Sequence, residues 1–252
     1  GLWADPSRSS RIKEVLEEEK KFSLEEMKAL QLDLTSNYSK EILPFILKNT
    51  GRYENPIFER AIRFLKDWNH IESIDSEGTL IFHSISNEIV RNIYYDELSV
   101  LGDKYFETFI GLKYITKRNL RNILRNNTNK WVDDIRTPNK IETIDEIITK
   151  SIESGIQKVI DTYGPNWSNW KWGSAHSLTH KHILGDVKIL NYLFNLNIGP
   201  YLSGGSEVTP NAGGYSLLKG FNQTSGASMR RIVDFSDLNK TNMILPTGQS
   251  GL

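Results

Sequence analysis

An α+β fold is predicted for this chain, with a mainly helical segment over residues 1–164 followed by an irregular, strand-containing segment over residues 165–252. Helix-start signals and apolar residues at spacings of three and four recur up to Gly164. Beyond Pro165 the composition changes to Trp, Gly, Ser, Thr and Asn, with only short extended stretches. The chain therefore forms one large domain or two smaller ones.

The first clear helix start lies at Ser23. Ser23 and Glu26 have the spacing of a capping box, in which the Ser hydroxyl accepts from the backbone N–H of Glu26. Apolar residues then follow at Met27, Leu30 and Leu34, three and four positions apart. This pattern predicts one helix that includes Leu34.

Two later helices have equally clear signals. Asn55 and Pro56 supply a cap and a first-turn proline for a helix whose apolar side is Phe58, Ala61, Ile62 and Leu65. A second capping box, Thr143 with Glu146, opens the longest predicted helix, and Gly164 ends it. After that point, residues 229–235 and 243–245 are the strand candidates, separated by glycine-rich turns.

Charge and composition exclude several classes of partner. Thirty-one basic residues cancel 31 acidic ones, so no net positive field is available to hold a nucleic acid. The apolar runs are far shorter than the roughly 20 residues of a membrane span. Without cysteine the chain has no disulfide or thiolate site, and nothing indicates its compartment. Because it begins at Gly1 without an initiator Met and ends just after the turn-rich residues 247–251, we expect a fragment.

Three histidines, His176, His180 and His182, are the candidate metal ligands, since an i,i+4 histidine pair on a helix can chelate a metal ion. Nearby glycines argue against a regular helix, and no Cys or carboxylate cluster completes a ligand set. We therefore expect structural histidines and no metal. No Gly-x-Ser-x-Gly elbow is present either, and Ser250 is interpreted as part of a turn.

The remaining polar and aromatic clusters favour structural interpretations. Asp133-Asp134 and residues 17–19 are predicted to be solvated carboxylates. Trp167, Trp170 and Trp172 suit either a sugar- or ring-binding platform or core packing, and core packing is favoured because buried aromatics are far commoner. Spacing alone defines no catalytic set.

Taken together, however, the motifs follow a known order. The chain resembles the C-terminal part of the β-chain of the penicillin acylase (penicillin amidase) family, and the resemblance covers nearly all of it. The matching stretches are Gly1-Leu2-Trp3 with Arg8 and Arg11-Ile12, residues 24–33, Leu65-x-x-Trp68-Asn69, Trp170-Lys171-Trp172-Gly173-Ser174-Ala175-His176, His182-Ile183-Leu184-Gly185, Gly204-Gly205-Ser206 with Thr209 and Asn211, Ser228-Met229-Arg230 with Ile232-Val233-Asp234, and Leu245-Pro246-x-Gly248-Gln249-Ser250-Gly251.

The chain departs from the family pattern at several positions. Ser7 stands where the family usually has Tyr, Asn69 replaces an Asp, and the stretch from His182 to Gly185 lacks a proline. Between residues 85 and 125 the match is only in helical character, which leaves room for an insertion or lid.

The resemblance implies an N-terminal-nucleophile hydrolase with an αββα core that the second segment rejoins. In such an enzyme a Ser becomes the first residue of the β-chain by autocatalytic cleavage, and its own α-amino group serves as the base. Backbone N–H and an Asn side chain hold the oxyanion. These groups lie upstream of Gly1, so the resemblance implies that this chain alone is inactive, with no cofactor and no metal of its own.

One reaction-centre residue of the family falls inside the chain. By the match it is Arg11, which supports the oxyanion Asn and the nucleophile. Judged by sequence alone, Arg11 is a basic residue in the first turn of a helix, where the helix dipole mildly disfavours a cation. The presence of an Arg at this position is more easily explained if its planar guanidinium hydrogen-bonds fixed partners, in a forked geometry that a Lys does not provide.

The resemblance thus implies hydrolysis of a linear amide, such as a penicillin or another N-acyl compound. The partners implied are the α-chain and the N-terminal part of the β-chain of the same precursor, together with a small-molecule N-acyl substrate. Members of the family are often periplasmic or extracellular. The alternative is a non-catalytic helical binding or scaffold module.

Overall fold

The computed structural model describes residues 3–18, 21–126 and 130–246, and over these residues the fold is α+β. The helices are α1 (Ser7–Leu16), α2 (Leu24–Gln31), α3 (Asn37–Lys48), α4 (Pro56–Asp67), α5 (Glu77–Val100), α6 (Asp103–Gly111), α7 (Lys113–Asn126), α8 (Ile144–Tyr163), α9 (Trp172–Ala175) and α10 (Lys188–Phe194). The strands are β1 (Ser177–His180), β2 (Ile198–Leu202), β3 (Gly213–Ser216), β4 (Gly220–Gly226), β5 (Arg230–Ile232) and β6 (Asn242–Ile244).

The predicted helix starts are confirmed. Both capping boxes form, at Ser23 before α2 and at Thr143 before α8. Asn55 caps α4, whose first residue is Pro56, and Gly164 ends α8 with a φ of 80°. Helices α5, α6 and α7 also confirm the helical character expected between residues 85 and 125.

The prediction that the second helix includes Leu34 is wrong. Helix α2 ends at Gln31. Two residues later the Asp33 Oδ1 atom accepts from the backbone N–H of Thr35 at 2.7 Å. An Asp side chain that bonds nearby backbone in this way competes with helix hydrogen bonding, and the chain turns into an extended bridge between Thr35 and Ile71.

Helices α5 and α8 form the centre of the core. Gly155 of α8 lies so close to α5 that a Cβ atom there would come within 2.8 Å of the Ile85 Cα. The same core includes Trp170, Trp172 and Tyr215 from the second segment. The two segments are therefore packed together, and a domain boundary at residue 164 stays a prediction.

The strands form two small sheets. Four strands are arranged in the order β2-β1-β4-β3, with β1 parallel to β4 and the other pairs antiparallel. Strands β5 and β6 pair antiparallel as a separate ribbon, which confirms both strand candidates. The first is shorter than predicted, and the second has the predicted length but begins one residue earlier. In the part of the chain that the structure describes, no helix combines the length and apolar composition that crossing a bilayer demands.

Candidate functional site

Arg11 lies in the second turn of α1, so its predicted first-turn position is wrong. The helix begins at Ser7. The backbone N–H of Ser7 donates to the Asp5 Oδ1 atom at 2.9 Å, and this hydrogen bond favours a helix start at that position. The Arg11 Nε atom donates to the Asp33 Oδ2 atom at 2.7 Å, and its Nη1 atom lies 3.5 Å from Glu14. Its side chain is only 22% exposed, and the guanidinium is held mainly by Asp33, since the contact with Glu14 is long for a hydrogen bond.

The surroundings of Asp33 and Arg11 favour the ionised form of both side chains. Burial opposes ionisation of Asp33, but hydrogen bonds from Thr35 and Arg11 outweigh it and lower the pKa of Asp33. For Arg11, burial likewise opposes the charged form and is outweighed by Asp33, so the pKa of Arg11 is raised. The two groups therefore form a charge-assisted hydrogen bond at neutral pH.

Asp33 also connects Arg11 to the strand-containing segment. The backbone carbonyl of Asp33 accepts from the Asn211 N–H at 2.9 Å. Arg230 at the start of β5 donates to the carbonyl of Gln31 and to the Asn211 Oδ1 atom. Helix α1, the turn after α2, the loop before β3 and the start of β5 are thus joined by consecutive hydrogen bonds.

A cleft of about 1240 Å³ opens beside this junction, between α2, the four-stranded sheet and the β5–β6 ribbon. Arg11 itself does not line it. None of its described lining residues is acidic, and its basic residues are Lys28, His180, Lys181, Arg230 and Arg231. Uncharged polar side chains, such as those of Asn211 and Gln223, and apolar side chains from the turn after α2 and from the ribbon complete the lining. The charged residues that line the cleft are therefore all basic, and the rest of its wall is mixed polar and apolar.

A second cavity, of about 490 Å³, is lined by α1 and the residues before it and by a buried ion pair. The Lys117 ammonium contacts the Glu207 carboxylate, and both side chains are almost fully buried. The Lys117 Nζ atom also lies 5.5 Å and 5.3 Å from the ring centroids of Tyr38 and Tyr215. Burial opposes ionisation of Glu207, but the Lys117 charge outweighs it and lowers the pKa of Glu207.

Beneath this cavity a chain of polar groups crosses the core. His83 of α5 lies between two partners, with its Nε2 atom 3.2 Å from Glu72 and its Nδ1 atom 3.0 Å from the Tyr215 hydroxyl. The His83 ring stacks on Trp172 at 4.8 Å. Burial raises the pKa of Tyr215 well above its usual value, so this phenol is neutral. These groups are buried and serve to fix the core.

The three candidate histidines do not form one group. His176 is fully buried, and its Nε2–H donates to the carbonyl of Gly213 at 3.0 Å. Burial lowers the pKa of His176 to about 4. His180 lies in β1, and exposed His182 accepts from the Leu184 N–H. No three His, Asp or Glu side chains of residues 3–18, 21–126 and 130–246 are placed to hold a metal ion, and a metal-free protein stays a prediction.

Two structural predictions need correction. Trp170 and Trp172 are buried as expected, but Trp167 is 44% exposed, with the Arg60 guanidinium 5.6 Å from its ring centroid. Asp134, predicted to be solvated, has a side chain only 13% exposed, because Arg136 forms two hydrogen bonds to it. The turn predicted around Ser250 lies outside the described residues.

Sequence reasoning missed Lys117, Glu207 and His83 as members of a polar cluster. Lys117 and Glu207 are far apart in the chain, and nothing local to either residue indicates the other. For His83 a signal was available, since it is a lone histidine in an otherwise mostly apolar run of α5.

Comparison with known proteins places the chain in a family. The penicillin amidase family model matches residues 1–252, and the chain belongs to this family. It is similar to an acyl-homoserine lactone acylase, QuiP, of Pseudomonas fluorescens (strain Pf0-1), with 25% identity over 264 residues that cover 99% of this chain and 31% of that protein. The corresponding acylases of Pseudomonas aeruginosa and Pseudomonas syringae pv. syringae are 23% and 24% identical over 99% of this chain. The chain spans about a third of the length of these curated relatives.

Proposed function

We propose that this chain is the C-terminal part of the β-chain of an amidohydrolase that cleaves linear amides through an N-terminal Ser outside the residues given. The observation that carries the proposal is the match to the penicillin amidase family along the whole chain. The similarity to acylases from several pseudomonads supports the same reaction class. The αββα arrangement of the complete enzyme is part of this proposal.

In the proposed reaction the Ser hydroxyl attacks the amide carbonyl carbon, and the α-amino group of the same Ser takes the hydroxyl proton. An α-amine with a reference pKa near 8 is a suitable base at neutral pH. The C–N bond then breaks, the proton passes to the leaving amine, and an acyl ester remains on the Ser. Water hydrolyses this ester to a carboxylic acid and restores the Ser.

Arg11 is the residue of this chain that we assign to the reaction. Its role is to orient the Asn side chain that holds the oxyanion, and to support the nucleophile. The 2.7 Å bond to Asp33 fixes one edge of the guanidinium, and a fixed donor array costs little reorganisation as charge develops. The substrate class is an N-acyl compound with a small amine part, such as an acyl-homoserine lactone or a penicillin.

The remaining parts of the same precursor are the proposed protein partners. Helix α10 supports this proposal, because it is mostly apolar and yet has no buried residue. Tyr192 is 88% exposed, and Ile183 just before the helix is 91% exposed. A helix that is apolar on most of its surface is normally buried inside a larger protein. Exposed residues of β2, Tyr201 and Leu202, add further apolar surface.

Substitution of Arg11 in the full-length enzyme tests the assignment. We expect Arg11→Lys and Arg11→Ala to lower kcat on the order of 10²-fold with little change in KM, since the interaction strengthens in the transition state. Lys keeps the charge and loses the planar fork, so the Lys variant tests geometry. If both variants mature and unfold like the parent and keep nearly full kcat, the assignment of Arg11 is wrong.

A hydrolysis assay separates the whole protein from this chain. The full-length protein is expected to release amines from phenylacetyl, phenoxyacetyl and long-chain acyl amides. The chain alone is expected to release none, because nucleophile, base and oxyanion donors are outside it. Turnover by the chain alone that survives purification to constant specific activity contradicts the proposal. Absence of turnover by the full-length protein on all of these amides favours the alternative of a binding or scaffold module.

A further inference from the structure

We propose that Asp33 is a positioning residue for the amidase reaction, acting through Arg11. It contacts Arg11 on the Nε edge of the guanidinium, at 2.7 Å. Apart from this bond, the contact of the Arg11 guanidinium in the described residues is Nη1 with Glu14 at 3.5 Å, which is long for a hydrogen bond. The Nη edge is therefore left available for the oxyanion Asn. This inference rests on the proposed function.

The Asp33 carboxylate is itself held on both sides. Its Oδ2 atom accepts from Arg11, and its Oδ1 atom accepts from the Thr35 N–H at 2.7 Å. The side chain is only 13% exposed. A carboxylate with both oxygens bonded and little contact with water has a fixed position, and it transfers that position to the guanidinium that it binds.

The backbone around Asp33 is anchored as well. Its carbonyl accepts from the Asn211 N–H, and Arg230 bridges the side chain of Asn211 to the Gln31 carbonyl. The position of Asp33 therefore depends on both segments of the chain. An ordinary exposed pair differs in each respect: Lys13 and Glu17 are 72% and 63% exposed, and such a pair contributes little to any fixed geometry.

The variant Asp33→Asn tests the role in the full-length enzyme. Asn retains an oxygen acceptor for Thr35 but loses the charge that draws the guanidinium. We expect kcat to fall about 10-fold with KM nearly unchanged, because a small displacement of a supporting group costs the transition state more than substrate binding. In the background of Arg11→Ala, the same substitution is expected to cost nothing further, since Asp33 acts only through Arg11.

The chain offers a matched control for this variant. Arg136 donates from its Nε atom to the Asp134 Oδ1 atom at 2.7 Å, the same contact that Arg11 makes with Asp33. Asp134→Asn breaks that pair and is expected to leave kcat unchanged. If Asp33→Asn does not fold, Asp33→Glu replaces it, because Glu keeps the charge and moves the carboxylate by one methylene.

A spectroscopic arm reports on the pair without any assay of activity. In ¹H–¹⁵N spectra of the full-length enzyme, the Arg11 Nε–H is expected to exchange slowly with water. In Asp33→Asn it is expected to exchange at least about 10-fold faster, as a lost charge-assisted hydrogen bond requires. Equal exchange rates in the two proteins overturn the inference.

The outcomes separate the inference from the proposed function. A fall in kcat that disappears in the Arg11→Ala background supports the inference. Full kcat in Asp33→Asn, or an equal fall in both backgrounds, overturns it while the amidase activity of the parent still stands. If the full-length parent hydrolyses no amide, the proposed function fails, and so does the catalytic role that rests on it, even where the exchange data show that Asp33 orders Arg11.

Discussion

Removal of the Lys117 ammonium is expected to destabilise the protein strongly. Lys117 and Glu207 form a buried pair that ties α7 to the loop before β3. The same loop includes Asn211, which bonds to the carbonyl of Asp33. Lys117→Met keeps most of the side-chain volume and leaves the Glu207 carboxylate buried without its cation.

The expected loss follows from the burial of both side chains. They are 3% and 6% exposed, so water cannot replace the missing charge. Breaking a buried pair by removing one partner costs about 3 to 5 kcal/mol of unfolding free energy, since an uncompensated charge remains. The double variant Lys117→Met/Glu207→Leu is expected to regain most of this loss, because a well-packed apolar pair is often neutral. As a control, Lys13→Met removes an exposed pair and is expected to cost less than about 0.5 kcal/mol.

The loss of unfolding free energy in Lys117→Met should also depend on pH. In the parent, the lowered pKa of Glu207 contributes stability that is present above the unfolded-state pKa and is lost as the pH falls through the folded-state pKa. Without Lys117, burial dominates and raises the pKa of Glu207 above its unfolded-state value. Stability then falls as the pH rises, so the deficit of the variant should be larger at pH 7 than at pH 5.

Urea denaturation at pH 7 and pH 5, followed by tryptophan fluorescence and circular dichroism together, measures both effects. Coincident transitions by the two probes establish the two-state behaviour that the comparison requires. A loss of unfolding free energy below about 1 kcal/mol in Lys117→Met, or a loss that is equal at the two pH values, contradicts the expected cost of breaking this pair.

Two further predictions concern packing and protonation. In thermal unfolding, Gly155→Ala should destabilise the protein by about 1 to 3 kcal/mol, because the new methyl group meets the backbone of Ile85. This loss is expected although Ala has a better helix propensity than Gly. The control Gly111→Ala, where the methyl group enters open space, should be neutral or slightly stabilising. An NMR titration should find the His176 midpoint at about 4. The stability linked to this lowered pKa is present above the unfolded-state pKa and is lost as the pH falls through about 4. A titration midpoint near 6.5, the usual value for His, contradicts the claim that burial lowers the pKa of His176.

The helix starts were predictable from sequence because their signals are local. A capping box needs only residues three positions apart, and those at Ser23 and Thr143 both form. Local competition also explains the failure at Leu34, since the Asp33 side chain takes the Thr35 N–H that a continuing helix requires.

The polar clusters were not predictable, because they join distant parts of the chain. The pair of Lys117 with Glu207 depends on how α7 packs against the loop before β3. Likewise, the family pattern points to Arg11, but only the structure brings Asp33 to it. Spacing along the sequence carries no information about such contacts, which arise from the packing of whole elements.

Covalent trapping of the nucleophile shows whether amide hydrolysis depends on an N-terminal Ser. The matured full-length protein is treated with a sulfonyl fluoride, which forms an ester with an activated Ser hydroxyl and releases fluoride, and is then analysed by mass spectrometry. We predict one label, on a Ser that is the first residue of a processed chain upstream of Gly1, and loss of amide hydrolysis in proportion to labelling. Amide hydrolysis by a protein without such a processed N-terminus, or a label on a Ser within residues 1–252 that abolishes it, contradicts the account.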